Sequence, residues 1–249
     1  MPRISIIIPT RRLDEPLSRR IQTSLGRLPD VEILVVEPDD QAPATPIIGQ
    51  AEARPSSAPV PPRVHRQIDH QVDQQFRRLT GRRGRGTQCN AGARAAGGEL
   101  LMFLHDDTTL PVDALARIDQ AFRNPRIGAA CFRLRFDRDH WLLGLYAAFS
   151  RFDSVFTTFG DQGLVIRRDL FDAIDGFPDW PLFEDVEIAR RVRRRSRIVK
   201  LAAAVTTSAV RFERNGMLRQ QLLNAGLLLR FLLGARPADL AASYERPRR

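Results

Sequence analysis

Two short apolar runs flank a helical pattern near the start of the chain, and this arrangement constrains the fold more than any other feature. Residues 4–8 are isoleucines interrupted only by Ser5, and the run stops at Pro9. Such a run is typical of a strand buried on both faces. Apolar residues at helical spacing follow over residues 13–28, and residues 31–36 predict a second buried strand. The order strand, helix, strand predicts an α/β fold with a mainly parallel central sheet flanked by helices.

The rest of the chain continues this alternation. Strands are predicted over residues 100–104, 128–136 and 164–166, and helices over residues 87–96, 111–122, 140–152 and 169–174, with a further helix starting at Glu184. In the strand over residues 128–136, Arg133 and Arg135 fall on one face and the intervening apolar residues on the other. The length of 249 residues favours a single domain over the whole chain.

Composition excludes several classes of protein. With 43% apolar and 27% charged residues the chain can build a full core, which excludes global disorder. Its two cysteines, Cys89 and Cys131, stand alone, with no CxxC and no metal-ligand spacing. We therefore expect reduced, structural thiols in a cytoplasmic protein, and not a disulfide scaffold.

The formal charge of +10 would normally suggest a nucleic-acid or membrane partner. Lys200 is the only lysine, however, so the arginine excess indicates a codon preference more than selection for phosphate contacts. A nucleic-acid-binding module that uses residues 81–86 and the arginines of residues 190–195 is the alternative. Neither cluster has interleaved aromatic residues, and we expect no nucleic-acid partner.

Seven of the 17 prolines lie between Pro38 and Pro62. This density predicts an excursion without regular structure at about residues 38–66, poorly ordered without ligand over residues 42–62 and dispensable for folding. We recognise no targeting segment at either end.

The C-terminal segment at about residues 216–245 reads as amphipathic and helical. Its most apolar part, residues 217–233, contains Arg219, Asn224 and Arg230, which argues against a bilayer-spanning helix. We expect it to pack over the sheet. A peripheral contact with the inner face of the membrane and a homodimer contact are the alternatives.

Three acidic clusters follow predicted strands or open a helix, where ligands of open α/β sheets bind. They are Pro9-Thr10 with Glu37, Asp39 and Asp40; His105-Asp106-Asp107; and Glu184-Asp185. Two adjacent acids directly after a buried strand suggest a divalent metal site. A solvated turn with an aspartate that caps the next helix explains the same residues.

Seven short motifs in fixed order carry a family resemblance. They are Ile-Ile-Ile-Pro-Thr (6–10), Gly-Arg-Gly-x-Gln-x-Asn-x-Gly (84–92), Ala-x-Gly-Glu (96–99), Phe-Leu-His-x-Asp-Thr (103–108), Gly-Asp-Gln-Gly (160–163), Gly-Phe (176–177) and Glu-Asp-Val-Glu (184–187). This series resembles family 2 glycosyltransferases, and more narrowly the compact bacterial branch found beside radical-SAM genes and associated with arsenosugar biosynthesis. The resemblance covers nearly the whole chain except residues 38–80.

The resemblance implies a GT-A nucleotide-sugar-binding fold and an inverting sugar transfer from a nucleoside diphosphate sugar, by default a UDP-sugar, to an unknown small-molecule or lipid acceptor. It assigns Asp185, with Glu184 beside it, to the general base and Asp107 with His105 to the metal. Because His105 supplies nitrogen, we expect Mn²⁺ to be preferred over Mg²⁺. The candidate donor-binding residues are Pro9, Thr10, Glu37, Arg85, Gln88, Asn90, Asp106, Asp161, Gln162 and Trp180, with Glu37 at the nucleobase.

Physical chemistry makes these roles plausible. Arg85 lies in a glycine-rich loop whose backbone can approach a phosphate closely. Glu184 and the aromatic side chains before it are expected to raise the pKa of Asp185 toward neutrality, as a base requires, whereas the helix N-terminus would lower it. Trp180 is a candidate for stacking on a sugar face.

One departure from the family pattern and one related class of enzyme keep alternatives open. Relatives usually have Asp-Gly-Gly-Ser or Asp-Asp-Gly-Ser where this chain has Glu37-Pro38-Asp39-Asp40, so a catalytically inactive relative is one alternative. A sugar-phosphate nucleotidyltransferase is another. The glycine-rich first loop expected of that class is replaced here by Pro9-Thr10-Arg11-Arg12.

Overall fold

The computed structural model describes residues 3–25, 30–39 and 76–245. From residue 40 onward, the predicted proline-rich excursion lies outside the described residues. The described strands are β1 (Ile4–Pro9), β2 (Val31–Pro38), β3 (Arg77–Gly81), β4 (Leu100–Phe103), β5 (Thr108–Thr109), β6 (Ala129–Phe136), β7 (Leu164–Arg167) and β8 (Ile198–Thr207).

The helices lie between and after these strands. They are α1 (Glu15–Leu25), α2 (Arg85–Ala95), α3 (Ala114–Phe122), α4 (Trp141–Phe149), α5 (Arg168–Ala173), α6 (Glu184–Arg193), α7 (Val210–Asn215), α8 (Met217–Leu232) and α9 (Pro237–Glu245), with a 3₁₀ turn at Gly160–Gln162. The helix predicted from Pro111 begins only at Ala114, since residues 111–113 form a turn in which the Ala114 amide donates to the Pro111 carbonyl.

All eight described strands form one sheet in the order β3-β2-β1-β4-β7-β6-β8-β5. The pairs within β3-β2-β1-β4 are parallel, but β7 runs antiparallel to both β4 and β6. Four of the seven strand pairs are parallel and three are antiparallel, so the sheet is mixed but mainly parallel, as predicted. Apolar patterning marks a strand as buried without fixing its direction, so the orientation of β7 could not be predicted from the sequence.

The two faces of the sheet bury separate apolar clusters. Ile6 and Ile8 of β1 face one cluster, which includes α1 and α3, and Ile7 faces the other, which includes α2 and α6. Burial on both faces is the reason why the strand shows an apolar run instead of an alternating pattern. Ser5 is tolerated there because its hydroxyl donates to Glu32 and accepts from the Gly98 amide.

Other predictions about the fold are confirmed in detail. Arg133 and Arg135 of β6 are exposed while Phe132 and Leu134 between and beside them are buried. Cys89 and Cys131 are free and buried. The sequence analysis identified neither β3 nor β8. The sequence of β8 is rich in alanine and has Lys200 near its start. It lacks the run of β-branched residues that predicts a strand at β1.

The C-terminal segment is helical as predicted, in α8 and α9. Helix α8 packs against α7 and α9 and buries Gln220 and Leu227. Within the described residues, no helix combines the length and apolar character that crossing a membrane requires.

Candidate active site

The candidate site lies at one edge of the sheet. Strands β1, β2 and β4 are parallel, so their carboxyl ends meet there. Strand β7 runs the opposite way and pairs Leu164 with Phe103, which brings the turn Gly160–Gln162 to the end of β4. Helix α6 starts at the same place with Glu184 and Asp185. The site therefore combines segments that are up to about 175 residues apart in sequence, from Thr10 to Asp185.

Gln88 ties the ends of β1 and β2 together. Its buried amide nitrogen donates to the carbonyl oxygens of Thr10 at 2.8 Å and Val36 at 2.6 Å. The Thr10 amide donates to the same Val36 carbonyl at 3.0 Å. Gln88 was predicted to bind the donor; in the structure its side-chain nitrogen is used to hold the loop that carries Thr10.

Glu37 and Asn90 hold two further loops. Glu37 Oε1 accepts from the Leu13 amide at 2.8 Å, and Glu37 Oε2 accepts from Arg78 at 3.1 Å. Asn90 pairs with the backbone of Phe177 through both ends of its amide, donating at 2.8 Å and accepting at 3.0 Å. Both side chains therefore fix the walls of the site.

The loop after β4 carries the predicted metal residues. Asp106 accepts a hydrogen bond from the Thr10 hydroxyl at 2.8 Å through Oδ2, and its carbonyl accepts from Arg20. Asp107 is exposed, and the Thr108 hydroxyl lies 3.4 Å from its Oδ1. The hydrogen bonds of Asp106 thus fix this loop against Thr10 and Arg20, whereas Asp107 lies on the solvent side of the same loop.

Gly160 is wedged between His105 and Asp185. Its amide donates to Asp185 Oδ2 at 2.8 Å. A Cβ added at Gly160 would lie 2.9 Å from His105 Nε2 and 3.1 Å from Asp185 Cβ, so no larger residue fits without displacing one of them. The other Asp185 oxygen accepts from the Val186 amide at 2.8 Å. Two backbone amides therefore hold the Asp185 carboxylate in one orientation beside His105.

Asp161 is the one carboxylate among the described residues that has an unsatisfied buried oxygen. Its Oδ1 is shielded from solvent and has no hydrogen-bond partner. Burial, followed by the charges of Asp185 and Asp107, raises the pKa of Asp161 to about 7. A buried acceptor without a partner is costly unless a proton or a cation compensates it.

Glu184 shares this carboxylate cluster. Burial and the neighbouring charge of Asp185 raise the pKa of Glu184 to about 7, although Arg85 opposes the shift. Arg85 Nη1 lies 3.4 Å from Glu184 Oε1, and close packing of α2 on α6 brings the two together. At Gly86 a Cβ would lie 2.6 Å from the Pro178 carbonyl oxygen, so glycine is required for this approach. The raised carboxyl pKa values thus fall on Glu184 and Asp161.

An aromatic contact supports the start of α6. Phe183 has a φ of 63°, a left-handed conformation that is unusual for a bulky residue and is often found at functional sites. Its ring stacks on Phe231 of α8 with centroids 4.9 Å apart, and Trp180 meets the same ring edge-on at 5.9 Å. Phe231 did not emerge from the sequence analysis, because nothing local to α8 indicates that it packs beside Glu184.

Gln162 is fully buried behind the turn that carries Asp161. Its amide nitrogen donates to the Thr157 carbonyl at 2.6 Å, and its Oε1 accepts from Lys200. Cys131 Sγ lies 3.7 Å from the same oxygen. Gln162, predicted as a donor contact, therefore anchors the turn from below, and the only lysine of the chain is used in that anchor.

The arginine clusters make ion pairs with nearby carboxylates. Arg190 and Arg191 pair with Glu187 at 2.7 and 3.1 Å, and Arg193 pairs with Asp153 at 2.6 Å. In the glycine-rich loop, Arg82 pairs with Asp179 at 3.0 Å. With Arg85 on Glu184, these pairs give most of the clustered arginines a local partner.

A cleft opens among these elements. Its lining combines polar and apolar groups, namely Pro9, Arg85, Phe103, His105, Phe159 and Asp185 among others. A mostly apolar cleft with a few convergent polar groups and perturbed carboxyl pKa values is the usual form of a small-molecule active site.

The comparisons with known proteins agree with this architecture. Residues 61–170 match the sequence profile of the family Glycosyl transferase family 2. No curated protein sequence is significantly similar to the chain. The family match covers the segment that carries Gln88, Asn90, His105, Asp107 and Asp161.

Solved structures share the fold at low sequence identity. The mannosyltransferase PcManGT from Pyrobaculum calidifontis, in complex with GDP-Man and Mn²⁺, is 19% identical with a TM-score of 0.60, covering 95% of this chain and 66% of that one. S. aureus TarS 1–349 is 16% identical with a TM-score of 0.58, covering 83% and 60%. Its complex with UDP-GlcNAc is 17% identical with a TM-score of 0.54, covering 83% and 58%. The chain thus spans less than two thirds of these relatives.

These likenesses establish a GT-A fold. The profile match shows a likeness to glycosyl transferase family 2 over residues 61–170, less than half of the chain.

Proposed function

We propose that the chain is an inverting glycosyltransferase that moves a sugar from a nucleoside diphosphate sugar, by default a UDP-sugar, to an acceptor hydroxyl. The order of the motifs favours the compact bacterial branch associated with arsenosugar biosynthesis. One observation carries the proposal: Asp107, Asp161, Glu184 and Asp185, from three separate segments, lie near enough to Arg85 or to one another to interact through their charges, and Asp185 and Arg85 line the cleft.

Asp185 is the proposed general base. An inverting transfer is one displacement, in which the acceptor oxygen bonds to the anomeric carbon while the bond to the diphosphate breaks and a base takes the acceptor proton. Asp185 lines the cleft and is oriented by the amides of Gly160 and Val186. A carboxylate fixed in this way meets the geometric requirement for proton abstraction. Glu184 supports it from a buried position.

The residues fit a divalent cation bound with the donor. No group of three or more His, Cys, Asp or Glu residues within the described ranges 3–25, 30–39 and 76–245 forms a ready metal centre. Mg²⁺ and similar ions, however, are commonly held by one or two carboxylates and the substrate phosphates. The unpartnered Asp161 oxygen and the crowded carboxylates leave negative charge to be compensated. We therefore propose that Asp107, with His105 beside it, holds the cation.

When bound, such a cation supplies positive charge to the departing diphosphate. Arg85 is the residue of the chain proposed to contribute a second positive group there. Its side chain is about half exposed and lines the cleft, and its Nη1 lies 3.4 Å from Glu184 Oε1. The carboxylates near Arg85 raise the pKa of its guanidinium against the opposing effect of burial, so the group stays charged.

The base assignment is tested with two matched substitutions. Asp185→Asn keeps the size of the side chain but cannot accept a proton, so transfer should fall by roughly two orders of magnitude or more while donor binding survives. Glu184→Gln should cost less. Turnover of UDP-sugar, or donor hydrolysis where no acceptor is identified, is measured beside nucleotide affinity and melting temperature. Near-normal turnover of Asp185→Asn would remove Asp185 from this role and direct attention to Asp161.

The cation assignment has its own test. Melting temperature is measured with each nucleoside diphosphate, with and without Mn²⁺ or Mg²⁺, because a ligand that binds only the folded protein raises it. Asp107→Ala should abolish the metal-dependent part of the increase, and Mn²⁺ should act more strongly than Mg²⁺ on the unmodified protein. Asp172→Ala, an exposed acid on α5, is the control. Metal-dependent stabilisation that persists in Asp107→Ala would contradict the assignment.

A further inference from the structure

Helix α4 presents an apolar face to solvent. Trp141, Leu145 and Phe149 recur every four residues and so share one side of the helix, where they are 70%, 48% and 52% exposed. The helix contains no charged residue. Just beyond its end, Phe152 is also exposed, and the Arg151 guanidinium lies 4.9 Å from the centre of its ring.

Helix α8 presents a second apolar face. Leu218, Leu222 and Leu229 lie on the side opposite the buried Gln220 and Leu227, and they are 62%, 73% and 57% exposed. A solvent-exposed helix normally turns polar residues outward, so a leucine face opposite the packed side calls for a partner.

Aromatic contacts link both helices to elements around the candidate site. Phe136 of β6 contacts Tyr146 of α4 and Phe212 of α7, the helix that leads into α8. Tyr146 stacks on Phe159, which lines the cleft, and Phe231 of α8 stacks on Phe183 next to the proposed base.

The charged residues that border the leucine face of α8 are positive. Arg219 and Arg230 lie on this helix, which contains no acidic residue, and Arg236 follows it. Arg151 adjoins α4. In the flanking segments, Glu213 pairs with Arg138 at 2.9 Å, Asp153 pairs with Arg193 at 2.6 Å, Asp137 accepts from the Ala209 amide, and Asp139 and Asp239 are exposed. An apolar face bordered by arginines is complementary to an anionic lipid surface, where apolar side chains enter the interface and arginines reach the headgroups.

We propose that α4 and α8 form a docking surface for an anionic membrane. Trp141 suits this role because tryptophan concentrates at membrane–water interfaces. A second copy of the chain fits the charges less well. Two-fold pairing of this surface would bring the same arginine-bordered helices together, and like charges facing each other oppose association.

Vesicle binding tests the proposal on the full chain. Co-sedimentation is measured with vesicles of phosphatidylcholine alone and with added phosphatidylglycerol. We expect binding that requires phosphatidylglycerol, weakens at high salt and falls by roughly tenfold or more in Trp141→Ser/Leu222→Ser, since both side chains lose their apolar contribution. Val112→Ser is the matched control, because Val112 is a fully exposed apolar residue outside both helices. Melting temperatures verify that all variants fold.

A second variant tests the contribution of the arginines, and light scattering tests the alternative partner. Arg219→Gln/Arg230→Gln should weaken binding to the vesicles that contain phosphatidylglycerol. Absence of binding, equal binding by the Trp141→Ser/Leu222→Ser variant, or indifference to phosphatidylglycerol would each overturn the proposal. So would self-association in light scattering that the same apolar substitutions abolish, since a second copy would then be the partner.

Discussion

The two sides of the candidate site differ in how completely their polar groups are satisfied. One side is formed by β1, β2 and α2. There the side chains of Gln88, Glu37 and Asn90 form hydrogen bonds with backbone groups of the site walls. On the side formed by the β4 loop, the 3₁₀ turn and α6, carboxylates crowd together and Asp161 retains an unpartnered buried oxygen. The first side is a frame, and the second holds unbalanced charge that substrate, proton or cation must compensate.

Residues of one sequence motif therefore have different roles, because some are hydrogen-bonded to the backbone and others line the cleft. Gln88 and Asn90 belong to the same motif as Arg85, yet their amides are hydrogen-bonded to the backbone, while the Arg85 side chain is about half exposed and lines the cleft. A motif residue in a frame position supports binding indirectly. Variants of the two sides should therefore affect different measurements, stability for the frame and pH dependence or turnover for the carboxylate side.

The largest effect on stability is expected at the frame. Gln88→Leu removes both donated hydrogen bonds and leaves the Thr10 carbonyl oxygen without that donor, so the free energy of unfolding should fall by about 2–3 kcal/mol. Urea unfolding measures the loss. Arg94→Leu, on the exposed face of the same helix, should change stability by less than about 0.5 kcal/mol. If Gln88→Leu left the stability unchanged and weakened nucleotide binding, Gln88 would be a donor-binding residue instead of a residue that holds the Thr10 loop.

A smaller, pH-dependent effect is expected at Asp161. Since its pKa is raised to about 7 in the folded protein, the folded state retains a proton that the unfolded chain releases near pH 4. Its contribution to stability is therefore complete below about pH 4 and is lost as the pH rises through 7, with a slope of at most about 1.4 kcal/mol per unit. Asp161→Asn removes this slope and should be more stable than the unmodified protein at pH 7.5.

Urea unfolding of both proteins without ligand is measured at pH 5 and 6, below the raised pKa of Asp161 of about 7, and at pH 7.5, above it. Asp172→Asn serves as the control, because an exposed acid should leave the slope unchanged. If Asp161→Asn follows the same pH dependence as the unmodified protein, the buried carboxyl is ionised and already compensated, and the contrast between the two sides is lost.

The smallest effect on stability is expected at Glu37, where frame and nucleobase contact are both proposed. Glu37→Gln keeps an acceptor for the Leu13 amide and loses the charge opposite Arg78, a partly exposed pair, so stability should change by less than about 1 kcal/mol. The affinity of Glu37→Gln for each nucleoside diphosphate is measured as well. A changed preference among nucleobases supports a contact between Glu37 and the nucleobase, and an unchanged preference indicates that Glu37 only holds the walls of the site.

The sequence by itself determined the elements whose signal is local. The isoleucines of β1 had to be buried on both faces, the arginines of β6 had to face outward, and Glu184 had to open a helix. The ordered motifs also pointed to the site residues and to a GT-A fold. These features depend on side-chain periodicity and short spacing, which are complete within a single segment.

Only the tertiary structure decided how those segments meet. The antiparallel entry of β7 places Gly160 between His105 and Asp185, leaves Asp161 without a partner and puts Gln162 on Lys200. The chain reversal that packs α8 beside α6 sets Phe231 on Phe183. Strand direction, burial of a single oxygen and contacts across many residues depend on where distant segments pack, and no local pattern encodes them. For the same reason, motif order identified Gln88 and Asn90 but could not tell a residue of the frame from one that faces the ligand.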